Sequence, residues 1–323
     1  LKKELGVLRL TFYGVGTIVG AGIYTVIGAA AGQAGYDLWL SFIFAAVAAS
    51  FSAFSYAELS STYPSAGAEF IFVRKAFPKI DIPSFLTGWT IAFHSSATVA
   101  AVLLAFSGYF NTFFNVPSLL ISYGILLLIT LISITGIKKS STANVIMVSI
   151  QLLGLLILIV FGLLETGAPK AGFFKVESLS GTLAATATLF FIYTGFEHMA
   201  ALGSEVKNPG KTIPRAFLST MVITTIIYLF IAFTVLNIAD PSALAEVDSP
   251  LSLAASNLNS WLPVVLAVAA LFATANAAFS GIISISRVLF GMAKMGELPK
   301  FMIKTNTQKV PWVTTLAVMV AVA

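Results

Sequence analysis

The sequence contains no cysteine and only two histidines, His94 and His198. Disulfides, thiolate metal centres and a cysteine nucleophile are thereby excluded, and two imidazoles are too few for most zinc sites. Charge is scarce as well. Asp, Glu, Lys and Arg make up 10% of the 323 residues, against about 25% in ordinary soluble domains. HExxH, GxSxG and GxxxxGK[ST] are all absent. Metal-assisted or serine hydrolysis and ATP-driven pumping by this chain therefore lack their usual machinery. No cofactor or metal is expected, and no repeated filter segment of the kind that builds a channel occurs.

What is abundant is apolar surface: 58% of residues are hydrophobic and the mean hydropathy is +0.96. A bilayer core about 30 Å thick needs about 20 apolar residues per helix, so a chain of this length holds roughly nine or ten spans. The composition predicts an all-α polytopic membrane protein whose first partner is the lipid bilayer. The net charge of +5 then reflects loop bias, and no nucleic-acid partner is expected.

Apolar runs separated by polar or proline-marked breaks place spans at 10–34, 38–62, 82–112, 117–137, 143–164, 180–203, 214–238 and 261–293. A ninth starts near 311 and is still apolar at Ala323, so it is expected to continue past that point. The run at 10–34 is too long for a signal-peptide core and reads as a retained helix. With a cytoplasmic N-terminus, 16 of the 18 basic residues fall in cytoplasmic segments and only Lys170 and Lys175 fall outside. That asymmetry predicts an N-in, multi-pass plasma-membrane protein. The whole of 1–323 reads as one transmembrane domain.

The first span carries Gly14, Gly16, Gly20, Gly22 and Gly28. One reading is close helix packing, since Gly16 and Gly20 form a GxxxG pair. The other is a local unwinding at Gly20 and Gly22, where the backbone leaves the helix and aims free N–H groups at an anion. The sixth span contains a second irregularity, Phe190-Phe191-Ile192-Tyr193-Thr194-Gly195-Phe196-Glu197-His198. An intramembrane carboxyl such as Glu197 is costly and marks a functional site unless it is paired or protonated for structural reasons. His198 is more simply a helix-packing hydrogen bond. Breaks five helices apart match an inverted five-helix repeat transporter, with repeats at 8–165 and 180–323, the second incomplete, and the substrate between the breaks. Free amides for a carboxylate beside free carbonyls for an ammonium are what an α-amino acid needs.

Three stretches resemble the amino acid-polyamine-organocation family of permeases. They are Gly20-Ala21-Gly22-Ile23-Tyr24, the sixth-span sequence Gly195-Phe196-Glu197 followed by Glu205-Val206-Lys207-Asn208-Pro209 and Ile213-Pro214-Arg215, and Tyr63-Pro64-Ser65-Ala66-Gly67-Ala68 with Phe70. The resemblance implies an inverted-repeat fold with discontinuous first and sixth helices and an amino acid as substrate. It implies a substrate carboxylate on the amides of Ala21, Gly22 and Ile23, beside Gly20. The ammonium would lie on carbonyls near Ile18, Phe191, Ile192 and Thr194, with Phe191 as an aromatic gate. Residues around His94, Ser95, Ser96 and Ala97 would line the side-chain pocket, or else form a polar packing seam.

One departure from the family bears on coupling. Several proton-coupled relatives carry a lysine in the fifth helix where this chain has Gln151, and an amide has no proton to deliver. Glu197 is then the candidate titrating group. Ser280 and Ser284, one turn apart, are candidates for a sodium site or for ordinary bonds to the preceding turn. Glu58 and Glu69, close in sequence to Arg74 and Lys75, read as an interfacial ion cluster or a gate, and Arg287 and Lys294 read as snorkelling anchors. A membrane amino acid sensor or scaffold, or a polyamine or other organocation carrier, remains an alternative to an amino acid permease. Oligomeric state and the particular amino acid are not encoded legibly.

Overall fold

A computed structural model describes residues 1–167, 176–247 and 249–323. Lys170 and Lys175 lie outside the described residues. The first span is two helices, Val7–Ile18 (α1) and Gly22–Ala34 (α2), followed by Leu38–Thr62 (α3), Ala68–Ala76 (α4), Ile82–Phe110 (α5), Ser118–Ile134 (α6) and Ile137–Thr166 (α7). The sixth span is likewise divided, into Leu179–Phe190 (α8) and Phe196–Ala200 (α9). Then come Pro209–Ile238 (α10), the short Pro241–Ala245 (α11) and Pro250–Leu258 (α12), Leu262–Lys294 (α13) and Trp312–Val322 (α14).

The predicted spans are found in order. α7 and α10 begin earlier than their apolar runs, at Ile137 and Pro209, because their first polar turns stay helical beyond the apolar stretch. Among the described residues, the spans long and apolar enough to cross a membrane include Ile82–Phe110, Ile137–Thr166, Pro209–Ile238 and Leu262–Lys294. α4, α11 and α12 leave no trace in an apolar-run reading, since each has nine residues or fewer.

The N-terminus and the even-numbered loops gather at one end of the bundle. Lys2 Nζ donates to Gln308 (3.2 Å), Arg9 to the Lys138 carbonyl (3.3 Å), and Asn306 to the Ile134 carbonyl (2.8 Å). Leu5 pairs with Val206 as an isolated parallel bridge. This gathering is what the alternation of basic loops requires. At the opposite end Asp37 is wholly buried, and one of its carboxylate oxygens accepts from the amides of Glu177 and Ser178, each at 2.9 Å. It thereby ties the end of α2 to the start of α8. A negative charge at a helix N-terminus is stabilised by the free amides there.

α13 is the mast of the bundle, packing on α5, α7 and α1 and buried without interruption from Ala278 to Ala293. Small residues permit that approach: Gly281 faces Val99 and Gly291 faces the Ala66-Gly67 backbone. Arg287 corrects one expectation. It does not snorkel to the surface but is 1% exposed, with its Nε 2.8 Å from Oε1 of the equally buried Glu205 and its Nη1 donating to the Ser286 hydroxyl at 2.9 Å. Burial of the loop after the sixth segment requires this, since Glu205 without a cation would be an uncompensated charge. Among the described residues Glu58 and Glu69 make no ion pair with Arg74 or Lys75 either. Arg74 turns instead to Asp81 and to Glu297, the latter at 3.0 Å.

Removing one partner of such a buried pair costs about 3–5 kcal/mol, whereas replacing both by apolar groups can be neutral. Arg287→Met should therefore lower the unfolding midpoint sharply, and Arg287→Met combined with Glu205→Met should recover most of it. Thermal unfolding of the detergent-purified variants checks this. Equal destabilisation by the single and double variants would mean the pair is not the source of the cost.

Candidate functional site: two facing helix breaks

The helix ladder of the first segment stops where the glycines stand. Its last bond runs from the Val19 amide to the Val15 carbonyl (2.8 Å), and it resumes with a short turn from the Tyr24 amide to the Ala21 carbonyl (3.2 Å). A helix start leaves its first amides without intrahelical acceptors. The N-cap of α2 is Ala21, with no side-chain cap, so the amides left over are those of Ala21, Gly22 and Ile23. Ala21 and Gly22 are half-buried, while Gly20 and the Ile23 side chain are buried.

In the sixth segment α8 tightens into a 3₁₀ turn at Phe191–Tyr193. Thr194 is extended (φ −70°, ψ 162°), and Gly195 takes φ +122° before α9 starts. Only glycine adopts that φ without strain. A Cβ on Gly195 would also lie 3.1 Å from the Thr17 backbone and 3.3 Å from the Ile18 nitrogen. Reciprocally, a Cβ on Gly22 would come within 2.9 Å of Ile192 Cγ2. Each break therefore packs its glycine against the backbone or side chain of the other.

Carbonyls released by the breaks are met from intact helices. The Tyr228 hydroxyl on α10, fully buried, lies 2.8 Å from the Ile18 carbonyl oxygen and 3.2 Å from that of Ile192. Its single proton is shared between the two segments. Gln151 on α7, also fully buried, donates its Nε2 to the Val19 carbonyl at 2.9 Å. In the 3₁₀ turn the Phe191 carbonyl accepts from the Thr194 hydroxyl at 2.6 Å and its amide at 3.3 Å. Each carbonyl has two lone pairs, so Ile18 and Ile192 keep an acceptor site after Tyr228 is counted.

Around this centre sits a buried polar layer. Asn144 on α7 donates to Asn276 on α13 at 2.7 Å, and Gly16 packs against Asn276 and Val148. Tyr13 on α1 donates to the Ser280 carbonyl at 3.0 Å, and Ser280 Oγ has no partner. Ser284 is buried on the same helix. The preceding-turn bond considered for Ser280 is therefore not made.

The remaining sequence candidates scatter. Phe191 is 66% exposed. Ser95 is half-buried. Ser96 donates to the Ala92 carbonyl (2.7 Å) and faces an apolar cavity of about 470 Å³ between α5, α13 and α14. Glu197 accepts from the Gly195 amide through Oε2 at 2.8 Å, which ties its carboxylate to the second break. Beside it, His198 Nδ1 is buried without a partner. Sequence reasoning missed Tyr228, Asn144 and Asn276. For Tyr228 the signal was a lone polar group inside an apolar run, a mark of an interhelical bond.

Two breaks in register, five spans apart, define the inverted five-helix repeat transporter fold. The crystal structure of MhsT in complex with L-phenylalanine superposes with a TM-score of 0.65 at 17% identity, over 100% of this chain and 79% of that one. The chain belongs to the amino acid permease family, whose sequence profile matches residues 5–323. Among its relatives, the branched-chain amino acid permease BcaP of Bacillus subtilis (strain 168) is 28% identical over 98% of this chain and 72% of its own length. Cationic amino acid transporter 4 of Mus musculus is 31% identical over 92% of this chain and 50% of its own. These relatives are named as permeases and transporters, not enzymes.

Because Tyr228 satisfies two otherwise unbonded buried carbonyls, Tyr228→Phe keeps the ring and removes only the hydroxyl. Leaving buried acceptors unpaired costs about 1–3 kcal/mol. The variant should unfold at a measurably lower temperature than the parent. An unchanged midpoint would show that the two carbonyls have other donors.

Proposed function

We propose that this protein is a secondary amino acid transporter working by alternating access, with the substrate held between the two breaks. The substrate carboxylate rests on the amides of Ala21, Gly22 and Ile23, at the positive end of α2. The ammonium meets the free lone pairs of the Ile18 and Ile192 carbonyls, near the Thr194 carbonyl and the Phe191 carbonyl that Thr194 already engages. Phe191, exposed beside this space, closes over the side chain, and Ser95 belongs to the side-chain wall. The observation that carries this reading is the Tyr228 hydroxyl held between both broken segments. It links the two carbonyls to which this reading assigns the ammonium.

The repeats are assigned to 8–165 and 180–323, inverted about the centre of the membrane. The N-terminal end of the bundle faces the cytoplasm and the membrane is the plasma membrane, because the basic loops gather there. Gln151 holds the first break but delivers no proton. Ser280 and Ser284 remain the candidate ion-binding hydroxyls, and Glu197, whose carboxylate accepts from the Gly195 amide at the second break, the candidate coupling group. The names of the two relatives support an amino acid as cargo and leave its side chain open.

A thermal-shift screen of the complete purified protein against α-amino acids and against amines without a carboxylate separates this reading from an organocation carrier. A ligand a hundredfold above its Kd stabilises by about 2.7 kcal/mol. α-Amino acids should stabilise, putrescine and decarboxylated analogues should not, and Gly22→Leu should erase the effect while the protein stays monodisperse. Equal stabilisation by putrescine would overturn the assignment of the carboxylate site.

A further inference from the structure

The chain leading into α1, the turn between α6 and α7, and the segment between α13 and α14 close on one another at the N-terminal end of the bundle. Lys2 Nζ donates to Gln308 Oε1 at 3.2 Å, and Arg9 donates to the Lys138 carbonyl at 3.3 Å. Asn306 Nδ2 donates to the Ile134 carbonyl at 2.8 Å, and a Cβ on Gly136 would stand 3.4 Å from Gln308 Cβ. Each segment therefore touches the other two. Residues 1–9, 135–139 and 304–309 carry seven cations between them and one acid, Glu4.

These cations have no carboxylate to meet. Among the described residues the ion pairs join Arg74 to Asp81 and Glu297, and Arg287 to Glu205. A basic residue at this end can thus be neutralised within the protein, as Arg74 is, but those of the three joined segments are not. Lys138 and Lys139 stand exposed in the first turn of α7, which has no acidic residue and no side-chain cap. The positive end of a helix repels cations, so their mutual repulsion is made worse there. Lys309 is exposed as well. Apolar surface borders the ring of charge: Leu8 before Arg9, Leu131 near the end of α6 and Trp312 at the start of α14 are exposed, and α6 packs on α14. A tryptophan so placed beside lysines marks the boundary between hydrocarbon and headgroups.

We propose that this ring binds the headgroup of an anionic phospholipid, with the phosphate among Lys2, Arg9, Lys138, Lys139 and Lys309 and the acyl chains along Leu131 and Trp312. The proposal needs only that the bundle spans a bilayer, and is independent of what the protein carries. Charge complementarity sets the class of partner, since a juxtamembrane cluster of lysine and arginine attracts anionic lipid. The adjoining apolar surface sets its source, because a soluble phosphate has no chains to lay there. A headgroup shared by three segments adds ties where few hydrogen bonds join them. The lipid therefore binds the folded protein in preference to the unfolded chain and stabilises it.

The test uses the full chain in a neutral detergent without any amino acid, so that its outcome does not depend on transport. Dioleoyl phosphatidylglycerol and dioleoyl phosphatidylcholine are added separately at equal mole fraction, and the unfolding midpoint is read. Phosphatidylglycerol should raise it by about 3 °C or more above phosphatidylcholine, and about 0.5 M NaCl should remove most of that gain by screening. Lys138→Gln combined with Lys139→Gln should lose most of the gain. Lys75→Gln combined with Lys79→Gln removes the same charge from exposed sites outside the ring, and should keep it. Equal midpoints in the two lipids overturn the proposal, as does an equal response from the two double variants, which would reduce the lysines to topology anchors. A rise reproduced by glycerol 3-phosphate alone also overturns it, because the ligand would then be a soluble anion. If the Lys138, Lys139 variant aggregates, native mass spectrometry of the parent decides. Phosphatidylglycerol should be retained over phosphatidylcholine, and equal retention overturns the site.

Discussion

In hydrocarbon every backbone N–H and C=O must find a partner inside the protein, since no water is there to supply one. The two helix breaks violate that rule locally, and much of the surrounding structure is the means by which the violation is contained. Tyr228 supplies one hydroxyl to two carbonyls from different segments, and Gln151 supplies an amide to a third. Both donors stand on continuous helices of 30 residues. What stays unpaired is a short row of amides at Ala21, Gly22 and Ile23. An anion is the natural partner for such a row.

The same logic accounts for how the broken pieces are held. α2 and α8 are tied through the buried carboxylate of Asp37, while α1 and the loop beyond α9 are tied through the pairing of Leu5 with Val206 and the amides of Glu4 and Leu5 on the Glu205 carbonyl (2.9 and 3.0 Å). The halves of each broken helix are thus fastened to halves of the other rather than to one another. Glu205 contributes its side chain to Arg287 and its carbonyl to the N-terminal segment, so one residue links α13 to both. The Asn144 to Asn276 bond fixes α7 on α13. The result is a frame of α7, α10 and α13 around two composite pieces that meet at Gly22, Ile192, Thr17 and Gly195. Rigid-body rocking of such pieces about a fixed site is the economical form of alternating access in repeat transporters.

The spans and the gathering of basic loops were legible because each rests on a sum over many residues, hydropathy in one case and charge in the other. The breaks were legible because Gly20, Gly22 and Gly195 supply conformational freedom that a transmembrane helix otherwise has little use for. Pairings across the bundle were not. Arg287 looked like an anchor because its partner Glu205 is 82 residues away in sequence, and Asp37 meets its amides 140 residues on. Tyr228 sits in a run of isoleucine and leucine that any lipid-facing helix could carry. α4 was too short and too polar to register, yet it packs against α5, α13 and α9. Such contacts depend on which helix faces lie together, and that information is spread over the whole chain.

The central claim is that one amino acid lies between the breaks with its two charged groups on backbone atoms. A density map of the complete protein with its transported amino acid bound tests this most directly. The account predicts carboxylate density within hydrogen-bond distance of the amides of Ala21, Gly22 and Ile23, and the ammonium against the Ile18 and Ile192 carbonyls beside Tyr228. Substrate density in the α5–α13–α14 cavity, or a continuous helix through Gly20–Gly22 in the bound state, would contradict it.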